Sequence, residues 1–184
     1  MTVEEFQTWQ PEPEQAGWRW QLIDGEPVGM APASIEHGAI QLQAGTIINM
    51  HLQKIGRCIA VVTPGVVPKA RSKTNQLVPD IGVSCARQRG GNTLTDPVLL
   101  VEILSPSNAA ITRGNVSAYQ TIPSVQEILV LNSLNMSGTL HRRDEQGGWP
   151  DDPEDLDAHS MVELRCISLK VAMPAFYVTS RLKV

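Results

Sequence analysis

The chain has 184 residues, 42% of them hydrophobic and 18% charged, which suits one folded domain over 1–184 and excludes a disordered chain. The net charge of −4 excludes a strongly basic nucleic-acid coat, and no apolar run reaches the length of a membrane span. Aromatics are only 4%, so Leu, Val, Ile and Ala must fill the interior.

In chain order, Thr2 and Glu5 stand at the spacing of a capping box, which predicts a short opening helix. A loop over 11–17 follows. Trp18, Trp20 and Leu22 then alternate with Arg19, Gln21 and Ile23 up to Asp24-Gly25, the signature of a hairpin returning over 26–30. Ser34 can cap a long helix reaching Ile55. Ile40, Ala44, Ile48 and Leu52 recur on its apolar stripe with Ile47 and His51, and Gly56 terminates it. Strands are predicted over 57–62, 77–84 and 98–104, the last two joined by an Arg/Gly-rich loop over 86–97. A helix over 112–121 precedes strands over 127–131, 136–142 and 161–166, and a helix or strand over 175–182. This order is that of an α/β protein, a mixed sheet flanked by helices. Residues 1–9 lack the basic start and apolar stretch of a secretory leader. Cys58, Cys85 and Cys166 show neither a disulfide framework nor zinc spacing, so reduced thiols in a cytoplasmic protein are expected.

Charge is unevenly spread. Residues 144–157 hold seven acids and no Lys or Arg, the composition of a solvated acidic loop. Residues 54–89 hold seven basic residues against Asp80 alone. Of these Lys69, Arg71, Lys73, Arg87 and Arg89 are candidates for facing nucleic-acid phosphates, and ordinary solubilising surface is the equal alternative.

Two carboxylates stand where a purely structural strand would not want them. In Val101-Glu102-Ile103-Leu104 the alternation puts Glu102 on the face of Leu100, where an acid is costly unless paired, protonated or bound to a cation. Asp80 follows Pro79, which suggests an edge or a bend, and shares its face with Gly82, which would leave room above the backbone. Two acids on adjacent strands suit Mg²⁺. The alternative is an Asp80 that ends a turn and a Glu102 paired with Arg113. Asn115 and Tyr119 lie four residues apart on one helix face. Ser105 has no G-x-S-x-G around it to make it a hydrolase nucleophile.

Val78-Pro79-Asp80-Ile81, Val101-Glu102-Ile103-Leu104-Ser105-Pro106-Ser107, Tyr119 and Ile122-Pro123-Ser124 together resemble the Uma-two-type endonuclease family, a branch of the PD-(D/E)XK nucleases. The opening Leu22-Ile23-Asp24-Gly25-Glu26, Met30-Ala31-Pro32 and Glu36-His37-Gly38 extend the likeness over roughly 3–177. The resemblance implies a restriction-endonuclease-like core with an N-terminal β-hairpin and Mg²⁺-dependent (or Mn²⁺-dependent) hydrolysis of DNA. Asp80 and Glu102 would be the metal-binding acids and the Ile103 carbonyl a further ligand. His37, Ser105, Arg113 and Tyr119 would be supporting residues, with a helix-surface or capping role as the alternative for His37. It also implies a homodimer, for which an apolar surface around Trp18 and Trp20 is the expected face. Leu104 stands where the wider superfamily often has a lysine, and in this branch that lysine sits on the following helix, four residues before a tyrosine, where this chain has Asn115, a catalytic candidate that could still orient a water without charge. The chain also departs from the family pattern at Thr112 in place of aspartate and at Gln21 in place of glutamate. A nuclease weakened by that lost cation is therefore one expectation. A degenerate relative acting as a nucleic-acid-binding or interaction module is the other.

Overall fold

The computed structural model describes residues 1–15, 18–30, 32–106 and 108–182. Gly17 of the predicted loop, and Ala31 and Ser107 of the motifs above, lie outside them. The capping box forms as expected: Thr2 and Glu5 satisfy each other's backbone N–H groups at the start of α1 (Val3–Thr8). A 3-10 turn (Pro13–Gln15) leads into the antiparallel hairpin of β1 (Arg19–Ile23) and β2 (Glu26–Met30), with Asp24 and Gly25 both at positive φ in the turn.

Helix α2 (Ile35–Ile55) is capped by Ser34, which accepts from the His37 N–H, and closed by Gly56 in the left-handed region. Then come β3 (Ile59–Val62), β4 (Ile81–Ser84), β5 (Pro97–Leu104), α3 (Ala109–Tyr119), β6 (Glu127–Asn132), β7 (Gly138–Arg142) and β8 (Glu154–Leu156). These strands form one mixed sheet in spatial order β3-β4-β5-β6-β7-β8, and only β5 and β6 run parallel, connected through α3. A hairpin of β9 (Met161–Leu164) and β10 (Leu169–Ala172) and a 3-10 turn (Met173–Tyr177) close the chain.

The sheet is covered on both faces. Ile40, Ala44, Ile48 and Leu52 of α2 pack on Leu99, Val101 and Ile103 of β5 and on the closing hairpin. Val116 and Tyr119 of α3 pack on the opposite face with Leu100 and Ile128. Glu102 therefore projects to the α3 side of a strand whose neighbouring residues face α2.

Four expectations are corrected. The strand predicted over 77–84 begins only at Ile81, because Pro79 has no N–H to donate and the chain bends at Asp80. The space above Gly82 is filled: a Cβ there would lie 2.7 Å from Leu94 and 2.9 Å from Pro64, so the glycine accommodates packing rather than an approaching ligand. The acidic stretch is not all loop, since Glu154–Leu156 pairs with β7. Cys58 and Cys85 form a disulfide, Cys166 alone being a free thiol. The β3/β4 register sets Ile59 opposite Ser84, which brings the next residue on each strand together, a pairing that sequence spacing cannot reveal. Among the described residues no helix is long and apolar enough to cross a membrane.

Candidate functional site

Asp80 sits at the bend before β4. Extending the register Ile81↔Val101 by one residue sets it opposite Glu102 in the middle of β5. Both acids are buried, 6% and 5% exposed. Asp80 is held from two sides. Its Oδ2 accepts from the Ile103 N–H at 2.7 Å, and its Oδ1 lies 2.8 Å from His37 Nε2. Gln41, one turn after His37 on α2, donates from Nε2 to the Asp80 backbone carbonyl at 2.8 Å. Two side chains at i, i+4 thus clamp one residue, and sequence reading found only the first.

Glu102 is held from the other face. Tyr119 Oη donates to Glu102 Oε1 at 2.7 Å, and Asn115 Nδ2 donates to the same oxygen at 3.3 Å. The expected i, i+4 pair on α3 therefore meets at one oxygen. Arg113 is exposed on α3, and the alternative of a Glu102–Arg113 ion pair is not what forms.

Burial and the negative charge of Asp80 push the Glu102 carboxyl up to about 8, outweighing the two hydrogen bonds. Glu127 is the informative contrast. It is also buried, at 1% exposed, yet Arg142 Nε and the backbone N–H groups of Arg165 and Cys166 surround it at 2.8, 3.1 and 2.9 Å. Both oxygens of Glu127 accept hydrogen bonds, whereas Glu102 faces a second carboxylate.

A carboxyl raised in the folded state is neutral in both states below about 4.5 and costs nothing there. Between that value and about 8 the unfolded chain releases the proton and the folded chain keeps it, so stability falls as pH rises. Glu102→Gln removes this slope. In EDTA, urea unfolding at pH 8 is expected to find the variant more stable by a few kcal/mol, at about 1.4 kcal/mol for each pH unit of displacement, with the difference fading at pH 5. Parallel pH profiles for the two proteins would contradict the raised value.

The acid pair borders a cavity of about 670 Å³. His37, Asn108, Thr112 and Asn115 border it too, as do Ser105 and Pro106 from the turn after β5. Asn108 Nδ2 also donates to the Ile103 carbonyl at 3.1 Å, so that expected ligand already carries one hydrogen bond. Arg19 and Gln21, the latter noted above only as a departure from the family glutamate, border the cavity without having been expected as site residues. Arg19 is the one Lys or Arg among the described residues around the cavity, and Gln21 is 1% exposed with its Oε1 buried and unpartnered. Their signal was present in the alternation of β1, which turns Trp18, Trp20 and Leu22 one way and Arg19 and Gln21 the other.

The candidate phosphate-facing residues are not brought to this cavity. Lys69 and Lys73 are exposed in the β3–β4 connection. Arg71 pairs with Asp24 of the hairpin turn, and Arg87 and Arg89 border a separate depression together with Asp96. Among the described residues no three His, Cys, Asp or Glu side chains cluster as metal ligands, which leaves two carboxylates and neighbouring amide oxygens as the donor set.

The chain is similar to known proteins over nearly its whole length. The Uma2 family model, described as "Putative restriction endonuclease", matches residues 3–172. An uncharacterized protein of Synechocystis sp. is 27% identical over 180 residues, 96% of this chain and 91% of that one. The crystal structure of a "putative nuclease belonging to DUF820" from Anabaena variabilis superposes with a TM-score of 0.73 at 19% identity, covering 97% of this chain and 98% of the other.

Proposed function

Since the chain belongs to the Uma2 family of restriction-endonuclease-like proteins, we propose that it hydrolyses phosphodiester bonds of DNA with Mg²⁺ or Mn²⁺ held at Asp80 and Glu102. The observation that carries this reading is the buried, opposed pair of carboxylates at the cavity wall. The residues present fit a hard cation. The donor set is all oxygen, Glu102 is raised partly by the charge of Asp80, and Gln21 Oε1 is a buried acceptor without a partner on the same cavity. The Ile103 carbonyl retains a second lone pair beside its bond from Asn108. A bound cation would activate water and compensate charge at the phosphoryl oxygens.

The chain's own groups have separable tasks in this reading. His37, Gln41 and the Ile103 N–H fix Asp80, so its carboxylate needs no reorganisation. Glu102 must give up its proton before it can act as a ligand, and Tyr119 and Asn115 hold its Oε1 while it does so. Arg19 supplies the positive charge for a phosphate. Asn115 can orient a water but brings no charge.

That last property favours a second reading, a relative that keeps the fold and the cation but acts as a nucleic-acid-binding or interaction module. No lysine is among the described residues bordering the cavity. The two readings separate in an assay on plasmid and single-stranded DNA with Mg²⁺ or Mn²⁺. Nicking that EDTA abolishes is expected for the nuclease. DNA binding without any cleavage would leave the module.

A further inference from the structure

Half of the chain's aromatic residues gather at its N-terminal end. The Phe6 and Trp9 rings stack at 6.0 Å, Trp9 meets Trp20 edge-on at 5.2 Å, and Trp20 stacks with Trp18 at 6.0 Å and 27°. Burial decreases along this row. Phe6 lies in a small core with Val3 and Leu22, Trp9 and Trp20 are half-buried, and Trp18 is 53% exposed. Gly29, which pairs with Trp20 across the hairpin, makes the arrangement possible: a Cβ there would lie 2.9 Å from the Trp18 ring. The row borders a groove of about 470 Å³.

The groove adjoins the carboxylate cavity. Arg19 and Val78 border both, and Gly29, on which Trp18 rests, borders the cavity. Arg19 is the one charged side chain among the described residues around the groove, and no carboxylate lines it. A cation at the junction of an aromatic groove and an acid-pair cavity complements a polyanion carrying exposed π-faces. A second copy of this chain is the poorer fit, because a stable pair buries about 800 Å² per partner and the groove offers one exposed indole.

We propose that the Trp18–Trp20 groove is a stacking platform for unpaired bases of a DNA strand whose phosphates pass Arg19 into the Asp80–Glu102 cavity. This rests on the nuclease reading and narrows it: the preferred substrate is single-stranded or locally unpaired DNA. Bases inside a duplex are already stacked and cannot offer their faces to an indole, so the platform discriminates by strandedness rather than by sequence.

The test is fluorescence anisotropy of a labelled oligodeoxythymidine and of a duplex of equal length, with the full chain in EDTA. The wild type is expected to bind the single strand more tightly than the duplex. Trp18→Ala should weaken single-strand binding by about tenfold or more, Trp18→Phe should restore most of it, and duplex affinity should not change. Equal single-strand affinity in wild type and Trp18→Ala would overturn the proposal, as would a wild type that does not bind the strand. A dimer in sedimentation that Trp18→Ala converts to monomer would also overturn it, making the face a self-association surface. Because EDTA removes the cation, this result is independent of cleavage. Strand binding through Trp18 without cleavage under Mg²⁺ or Mn²⁺ defeats the nuclease reading alone. Cleavage of single strands at an unchanged rate in Trp18→Ala defeats the platform alone.

Discussion

Asp80→Asn is expected to abolish cation-dependent cleavage, by at least a hundredfold to thousandfold, while the protein stays folded. The substitution keeps the shape and removes the charge. An asparagine oxygen can still accept from the Ile103 N–H, and its amide can turn toward His37, so both contacts of the carboxylate have isosteric replacements. The backbone carbonyl of residue 80 keeps its bond from Gln41. What disappears is one of the two carboxylates proposed as ligands and the repulsion that helps to raise Glu102. Two readouts follow besides rate. Calorimetry should lose the heat of Mn²⁺ binding, and the loss of stability on raising the pH should begin at the same pH as in the wild type but end at a lower one, so that it is smaller. Mn²⁺ affinity equal to that of the wild type would exclude Asp80 as a ligand.

Asn115→Lys is expected to raise the cleavage rate about a hundredfold to thousandfold, the cost that the loss of one electrostatic stabiliser ordinarily exacts. Asn115 is buried, borders the cavity and already points its Nδ2 at Glu102 Oε1. An ammonium in its place would pair with Glu102, keep that acid ionised at neutral pH and face the phosphate from the α3 side. Asn115→Met is the control, matching the longer chain without the charge. Turnover of plasmid DNA at fixed Mg²⁺ reads the difference. A lysine variant no faster than the methionine variant would mean that more than one cation is missing, and the non-catalytic module would be the better reading.

The acid pair was legible because an acid among apolar strand residues is conspicuous, as Asp80 next to Ile81 and Glu102 between Val101 and Ile103 are, but the strand pattern alone left a turn at Asp80 and an ion pair at Glu102 open. The Asn115/Tyr119 spacing was legible because helical periodicity puts i and i+4 on one face, and both reach Glu102. Gln41 was not, since nothing in an amphipathic helix distinguishes a glutamine that reaches a distant backbone carbonyl from one in water. The disulfide escaped for a related reason: strand register is a property of the assembled sheet. Strands β8 and β10 are short, and the acids in β8 obscured its role as a strand. Basic residues in sequence proximity, such as Lys69 and Arg89, gave a charge count but not a location, and the cavity took its cation from Arg19 instead.

Strand β8 carries one further consequence. It forms one border of the main sheet, where a strand normally invites pairing by a foreign chain, and it presents Glu154 and Asp155 there, both exposed. The opposite border is guarded differently. There β3 has four residues, and Cys58 and Thr63 on either side of it have φ of 79° and 48°, so the chain leaves extended geometry at both ends. The acidity that makes the whole chain look unsuited to a polyanion is thus concentrated partly on a rim where its effect is to repel other open β-sheets. Protection against edge-to-edge aggregation and the polyanion binding proposed above are compatible in one small molecule, because the acids of β8 border neither the carboxylate cavity nor the aromatic groove.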